Sequence, residues 1–426
     1  MSLLKEDRHT ESEIFMEPTK ETTPSAATHC PIDHSSLSWQ KTVPTTPSTG
    51  PAIERDEEGM WHVRSFDAAR AVLRSADTNQ AGFNAELVAR IPNMMNLPIL
   101  YQDGKVHQQQ RKQTARFFTP KAVSDNYRQV MEQLSDQLIK KLLLKKQVDL
   151  SQLSITLAVR VAAQVVGLTN SYPGLPQRLE AFFSGDLTNI GLSLRSLLNL
   201  LKNQSRTLAF FMLDVMPAIR ARKPQPQNDV ISHLLAQNYS NAEILTECIT
   251  YAAAGMVTTR EFISVAAWHL LERPELRTRY LVAGEEERHA ILHEILRVEP
   301  VVTRLYRQAT ADIELEHEGS HIIIPQEAKV TVEIDASNAD ENIVGELPLA
   351  VCPGRAIQGD RVPEMVMSFG DGVHRCPGAY IAIQETDIFL QRLLALDNLR
   401  IVSKPSIRWN DLTTGYELRN FDIAVA

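Results

Sequence analysis

The sequence is poor in cysteine, in aromatic residues and in positive charge, and each shortage removes a class of function. Its four cysteines, Cys30, Cys248, Cys352 and Cys376, are too few and too scattered for a disulfide framework, and none forms the CxxC pair that zinc sites use. A reducing compartment is expected, and the chain is read as cytoplasmic. Lys and Arg number 44 against 52 Asp and Glu, a formal net charge of -8, so the clustered cations that bind nucleic-acid phosphates are missing. No stretch reaches about 18 consecutive apolar residues, and charges interrupt the first fifteen positions where a signal peptide or anchor needs an unbroken apolar run.

What remains is a chain of 426 residues, 43% hydrophobic, long enough to bury a sizeable core and suited to small-molecule chemistry. Residues 1–50 are rich in Thr, Ser and Pro and read as a flexible N-terminal extension. Within it Cys30-Pro-Ile-Asp-His34 has no second pair nearby and takes no metal role. Residues 51–426 show no internal repeat and no second break in composition, so one domain is expected. Helical periodicity dominates to about residue 300; at Asp149, a Gln three residues later has the spacing of a capping box. Residues 312–336 alternate instead, with Ile313, Leu315, Ile322, Ile324, Val330, Val332 and Ile334 apolar, which predicts a small sheet. The fold class is mainly α with a small β sheet, α+β.

The most informative stretch is Ser368-Phe-Gly-Asp-Gly-Val-His-Arg-Cys-Pro-Gly-Ala-Tyr-Ile-Ala-Ile-Gln-Glu385. Gly370 and Gly372 allow a turn that aims amide N–H groups at Cys376, and a thiol at the start of the following helix is expected to have a lowered pKa. By itself such a turn also suits an ordinary packed thiol. The whole pattern, Phe369-Gly370-x-Gly372-x-His374-x-Cys376-x-Gly378 followed by Ala382 and Glu385, resembles the haem-binding signature of the cytochrome P450 superfamily. The likeness extends over most of the chain. It implies haem b with Cys376 as iron ligand and catalytic thiolate, lying between a long oxygen-groove helix and the helix after the cysteine loop.

Further matches follow the family's order. Glu294 and Arg297 are three apart on one helix face, and the resemblance makes them a buried pair bracing the haem-side core, with Arg361 as third member. The helix expected from about Asn241 to Leu271 carries Ala252-Ala-Ala-Gly-Met-Val-Thr-Thr259, where Gly255 weakens the helix and the Thr258 hydroxyl is placed to bond the Ala254 carbonyl. By resemblance Ala254 and Gly255 form the oxygen groove, and Thr258 is the catalytic threonine that relays protons. The family usually has an acid or amide just before that threonine; here stands Val257, which moves no proton, and Glu261 is the candidate substitute through water. His107 and Arg111, Arg307 and His374 correspond to the family's partners of the haem propionates, alongside Phe369, Gly370 and Gly378 around the cofactor. The family's substrate-contact regions fall here on apolar positions: Phe83, Leu87, Met94, Met95, Leu97, Ala253, Val301, Val302 and the turn Thr414 to Tyr416.

Three functions fit these residues. The first is a monooxygenase acting on a small apolar substrate with O2 and electrons from a separate ferredoxin with its reductase, or a flavoprotein. The second is a peroxide-driven peroxygenase, suggested by Val257. The third is a haem protein that binds a ligand without turnover.

Overall fold

A computed structural model of the chain describes residues 40–42, 50–83, 95–183, 194–411 and 413–426, with side chains from residue 201 onward in the helix that starts at Leu194. Leu87, Met94 and most of the expected N-terminal extension lie outside the described residues. Long helices form the body, as expected. The helix Leu150–Val166 is apolar on most of its faces and lies in the centre of the larger core, against Asn241–Glu272 and Arg128–Lys145. Asp149 caps it by accepting the Ser151 N–H at 2.9 Å. Gln152 bonds Glu180 at 3.0 Å instead of turning back to the cap, so the capping box expected from spacing does not form.

Strands β1 (Ile53–Arg55), β2 (Trp61–Val63), β3 (Thr78–Ala81), β4 (Gln147–Asp149), β5 (Arg304–Ala309), β6 (Ile313–His317), β7 (Ser320–Ile324) and β8 (Lys329–Glu333) precede the cysteine loop. β9 (Arg400–Ile401), β10 (Ser406–Asn410), β11 (Gly415–Arg419) and β12 (Asp422–Ala424) follow it. The alternating stretch read as one small sheet divides: β6 and β7 form a hairpin, while β8 enters a five-stranded sheet ordered β1-β2-β8-β5-β3. That sheet is antiparallel except where β2 runs parallel to β8. Its apolar face and the helix Phe66–Arg74 bury a second, smaller core.

The expected long helix from Asn241 is continuous to Glu272 but changes winding in the middle: α from Asn241 to Tyr251, π from Ala252 to Val257, α again from Thr258. A π turn leaves a carbonyl without its usual partner, and the side chains here supply one. Thr258 Oγ1 donates to the Ala254 carbonyl at 2.6 Å, as the sequence suggested, and Thr259 Oγ1 donates to Gly255 at 2.7 Å. Three residues of the stretch read as a loose extension are fixed to the body. Gln40 bonds the Val298 carbonyl at 2.9 Å, and Lys41 and Thr42 bond the buried Glu299. Among the described residues no helix is long and apolar enough to cross a membrane.

Candidate cofactor and active site

The cysteine loop and the π turn both line one open cavity. One wall is the cysteine loop, Met367 to Gly378, with the start of the helix Ala379–Leu394; the opposite wall is the π turn with Ala254, Gly255, Thr258 and Thr259. Gly370 and Gly372 both have φ of 67°. Gly372 is required at its place, since a Cβ there would stand 2.1 Å from the Leu73 carbonyl oxygen. The loop is tied back on itself by the Cys376 N–H, which donates to the Phe369 carbonyl at 2.8 Å. At Gly255 an added Cβ would meet nothing within 4 Å, so the turn presents bare backbone to open space.

Cys376 opens onto this cavity while the protein encloses it from behind. The sequence predicted a lowered pKa, and the direction is reversed. Burial pushes the thiol up and outweighs the N–H groups of Gly378 and Ala379 and the guanidinium groups of Arg111 and Arg375, which pull it down. The amides that pull it down are those of Gly378 and Ala379, at the helix start.

Cations gather at one edge. His107, Arg111, Arg307 and His374 all line the cavity, and the His107 and His374 rings stack with centroids 4.1 Å apart. Burial first, then the neighbouring His374 and Arg111, lowers the His107 pKa to about 4; burial also lowers Arg307, to about 10, against the pull of Asp103. Two residues that the sequence did not single out hold this edge. Gln80 sits opposite Arg307 in the register of β3 against β5 and accepts a hydrogen bond from its guanidinium. Asp103 accepts from His374 Nε2 at 3.0 Å and from the Gln80 N–H at 3.1 Å. Only strand register and a contact spanning 271 residues make them neighbours, so no local motif announces them.

A planar, dianionic iron macrocycle fits what is present: a sulfur on one wall, small residues on the other, cations on one rim and apolar side chains elsewhere. The buried Nδ1 of His107 has no protein partner, as expected of a group reserved for an anionic ligand. Every residue expected around the cofactor lines the cavity: His107, Arg111, Ala254, Gly255, Arg307, Phe369, Gly370, His374, Cys376 and Gly378. Among the expected substrate contacts, Phe83, Val301 and Val302 do so as well, joined by Leu100, Phe118, Val165 and Phe262.

Others are corrected. Met95 is 92% exposed, and Leu97 and Ala253 do not reach the cavity. Thr414 is buried, its hydroxyl spent on the Arg304 carbonyl at 2.8 Å and its own carbonyl on the Thr303 N–H. Glu261 cannot stand in for an acid beside Thr258: its oxygens accept from Arg260, Arg419 and the Leu418 N–H, all away from the cavity. Val257 also faces elsewhere, into a small recess with Glu180, Arg260 and Arg419.

Behind the cysteine loop, Glu294 and Arg297 form the expected buried pair, with contacts of 2.7 and 2.8 Å. The third member is Arg355 and not Arg361. Arg355 Nε donates to Glu294 Oε1 at 3.1 Å, and its other nitrogens bond the carbonyls of Val344, Glu346, Leu347 and Ala350. Arg361 is exposed, in a surface turn with φ of 58°. The connection after Arg355 is six residues longer than the spacing rule assumed, so counting back from Phe369 lands outside the network.

Comparison with known proteins agrees with this geometry. The family model described as Cytochrome P450 matches residues 289–407. The chain is 25% identical over 348 residues to the biotin biosynthesis cytochrome P450 of Bacillus subtilis, covering 78% of this chain and 82% of that protein. It is likewise 25% identical over 368 residues to mycinamicin IV hydroxylase/epoxidase of Micromonospora griseorubida, covering 83% and 86%. Among solved structures, P450BioI in complex with hexadec-9Z-enoic acid-ligated acyl carrier protein superposes with a TM-score of 0.70 at 23% identity, covering 88% of this chain and 95% of that one. CalO2 gives 0.70 at 22% identity, covering 88% and 93%.

Proposed function

Because this chain belongs to the cytochrome P450 superfamily and is a P450 monooxygenase, we propose that it inserts one oxygen atom from O2 into a small, largely apolar organic molecule. Electrons come from a separate ferredoxin and its reductase, or from a flavoprotein, and the setting is the cytoplasm. The single domain runs from about residue 51 to the end. The observation that carries the proposal is one cavity that holds both Cys376 and the Thr258 turn, with cations confined to a single edge.

The haem-thiolate group, taken here as haem b, supplies the redox chemistry that activates oxygen when bound. The residues do the rest. Cys376 would hold the iron, and the N–H groups of Gly378 and Ala379 would stabilise its negative charge. His107, Arg111, Arg307 and His374 would hold the propionates, with Gln80 and Asp103 orienting Arg307 and His374. Thr258 keeps its hydroxyl at the cavity face by bonding Ala254, and from there moves protons. Phe83, Phe118, Val165, Phe262, Val301 and Val302 exclude water and favour an apolar guest.

The absorption spectrum of the dithionite-reduced protein, with and without carbon monoxide, tests the reading. A strongly red-shifted Soret band that disappears in Cys376→Ala supports it; a spectrum of the histidine-ligated kind, or no haem, overturns it. A peroxide-driven reaction is the second reading, favoured by Val257 and Glu261, neither of which presents an acid to Thr258. Turnover with hydrogen peroxide but not with NAD(P)H and redox partners selects it. Val257→Asp puts a carboxylate into the recess of Glu180, Arg260 and Arg419, away from the cavity, so an unchanged ratio of product to hydrogen peroxide is expected, and a changed ratio means that proton supply reaches Thr258 from that side. A protein that binds ligands spectroscopically but gives no product under either regime is a binding protein instead.

A further inference from the structure

Two acidic side chains on the helix Asn241–Tyr251 reach outward to the segment from Asn96 to Tyr101. Glu243 Oε1 accepts from the Asn96 backbone N–H at 2.8 Å and from Asn96 Nδ2 at 2.9 Å, while its Oε2 accepts from the Ser240 N–H at 2.8 Å and closes a capping box. One turn further on, Glu247 Oε1 accepts from the Ile99 N–H at 3.0 Å and from Gln110 Nε2 at 3.2 Å. Residues four apart share a helix face, so one face of this helix holds one short stretch of backbone at two points. Ile99 and Leu100, from that stretch, line the cavity, as do Thr250 and Tyr251 from the helix.

Glu247 is an expensive way to stabilise a helix. It is 1% exposed, its Oε2 has no partner, and burial pushes its carboxyl up to about 8 despite the bonds from Ile99 and Gln110. An apolar side chain at the same place would pack without that cost, and the cap at the helix start needs only Ser240 and Glu243. What an apolar side chain would not do is accept the Ile99 N–H.

We propose that Glu247, with Glu243, is a positioning residue for the cavity: the two acids fix the Asn96–Ile99 backbone and so set how far Ile99 and Leu100 stand into the binding space, which decides the size of ligand accepted. This rests on the reading of the cavity as the ligand chamber of a haem enzyme, and the test separates the two. In the haem-loaded protein, amide hydrogen exchange at Asn96 and Ile99 reads the tether. Titration with imidazole and with 4-phenylimidazole, followed by the Soret shift, reads the chamber. Glu247→Leu is expected to speed exchange at Ile99 about tenfold and to change the ratio of the two azole affinities about fivefold. Glu247→Gln, whose amide oxygen still accepts the N–H, keeps both close to the parent.

Unchanged exchange at Ile99 in folded Glu247→Leu overturns the tether. Faster exchange with an unchanged azole ratio overturns the selectivity role. Should Glu247→Leu fail to fold, Asn96→Asp sets two acids against each other without altering the helix, and exchange of the position-96 amide as slow as in the parent also overturns the proposal. A parent protein that takes up no haem refutes the haem reading instead, and the exchange rates alone then decide whether the acids hold this wall.

Discussion

Arg355 and Arg361 lie six positions apart, yet one is built into the ion network behind the cysteine loop and the other stands in solvent. Glu294 is buried and accepts from Arg297, Arg355 and the Cys352 N–H, so removing one guanidinium leaves a buried acid short of donors. Arg355→Ala is therefore expected to cost about 3 kcal/mol, and Arg361→Ala less than about 0.5 kcal/mol. Denaturant unfolding of the two variants checks this; equal losses would mean that Arg355 carries no special load. The comparison also shows where single residues were legible. His107, Arg111, Arg307 and His374 follow from resemblance to the order of residues in the family, and the structure brings all four to the cavity. Arg355 was missed because its position depends on the length of a loop, which obeys no period. Gln80 and Asp103 were missed because what defines them is a partner far away in the chain.

Elements were legible where one period persists, and less so where tertiary contacts choose between local options. The helix through Thr258 was clear from its apolar pattern, and even the Thr258 bond to Ala254 could be anticipated. Its π turn could not, since a widened turn of six residues is too short to impose a period of its own on the sequence. Likewise the alternation over residues 312–336 identified strands but not their division, because the pairing of β8 with β2 and β5 involves chain outside that window. The cysteine loop is an element whose shape comes from a neighbour. Gly372 packs so closely on the helix Phe66–Arg74 that the smallest side chain would collide with the Leu73 carbonyl. Gly372→Ala must strain a left-handed residue and also push the loop off that helix. It is expected to cost about 2 kcal/mol and to lower haem retention on gel filtration, while Gly319→Ala, at a hairpin tip with open space around it, leaves retention unchanged. Full haem content in Gly372→Ala would show that the loop tolerates displacement.

At the scale of the whole molecule, the chain's early residues reach its far side through Glu299. This acid is fully buried after the helix Glu285–Val298, and it accepts from His269 Nε2 at 2.8 Å and from the N–H groups of Lys41 at 2.5 Å and Thr42 at 3.2 Å. Lys41 in turn pairs with Glu272 and lies over the Trp268 ring at 4.9 Å. His269 is neutral in this arrangement, because Arg273 donates to its Nδ1. Burial lowers its pKa from 6.5 to about 4, the Glu299 contact opposing. Below pH 6.5 the unfolded chain takes up a proton that the folded one refuses. His269 therefore leaves stability intact above pH 6.5, and the folded state loses up to about 3 kcal/mol as pH falls from 6.5 to 4. Unfolding free energies of the parent and His269→Gln between those pH values check this, and parallel pH profiles would refute it. The same cluster predicts the effect of shortening the chain. A protein beginning at residue 40 keeps every donor to Glu299, whereas one beginning at residue 50 leaves that buried acid with His269 and loses the Gln40 bond to Val298. Hydrogen bonds to a buried acid contribute about 1.5 to 3 kcal/mol each, so the shorter protein is expected to be less stable by at least about 3 kcal/mol. Glu299→Gln, which needs fewer donors, should narrow the difference between the two lengths. If both lengths unfold at the same denaturant concentration, residues 40–42 rest on the body without holding it, and the extension can be removed without consequence for the cavity that Val301 and Val302 help to line.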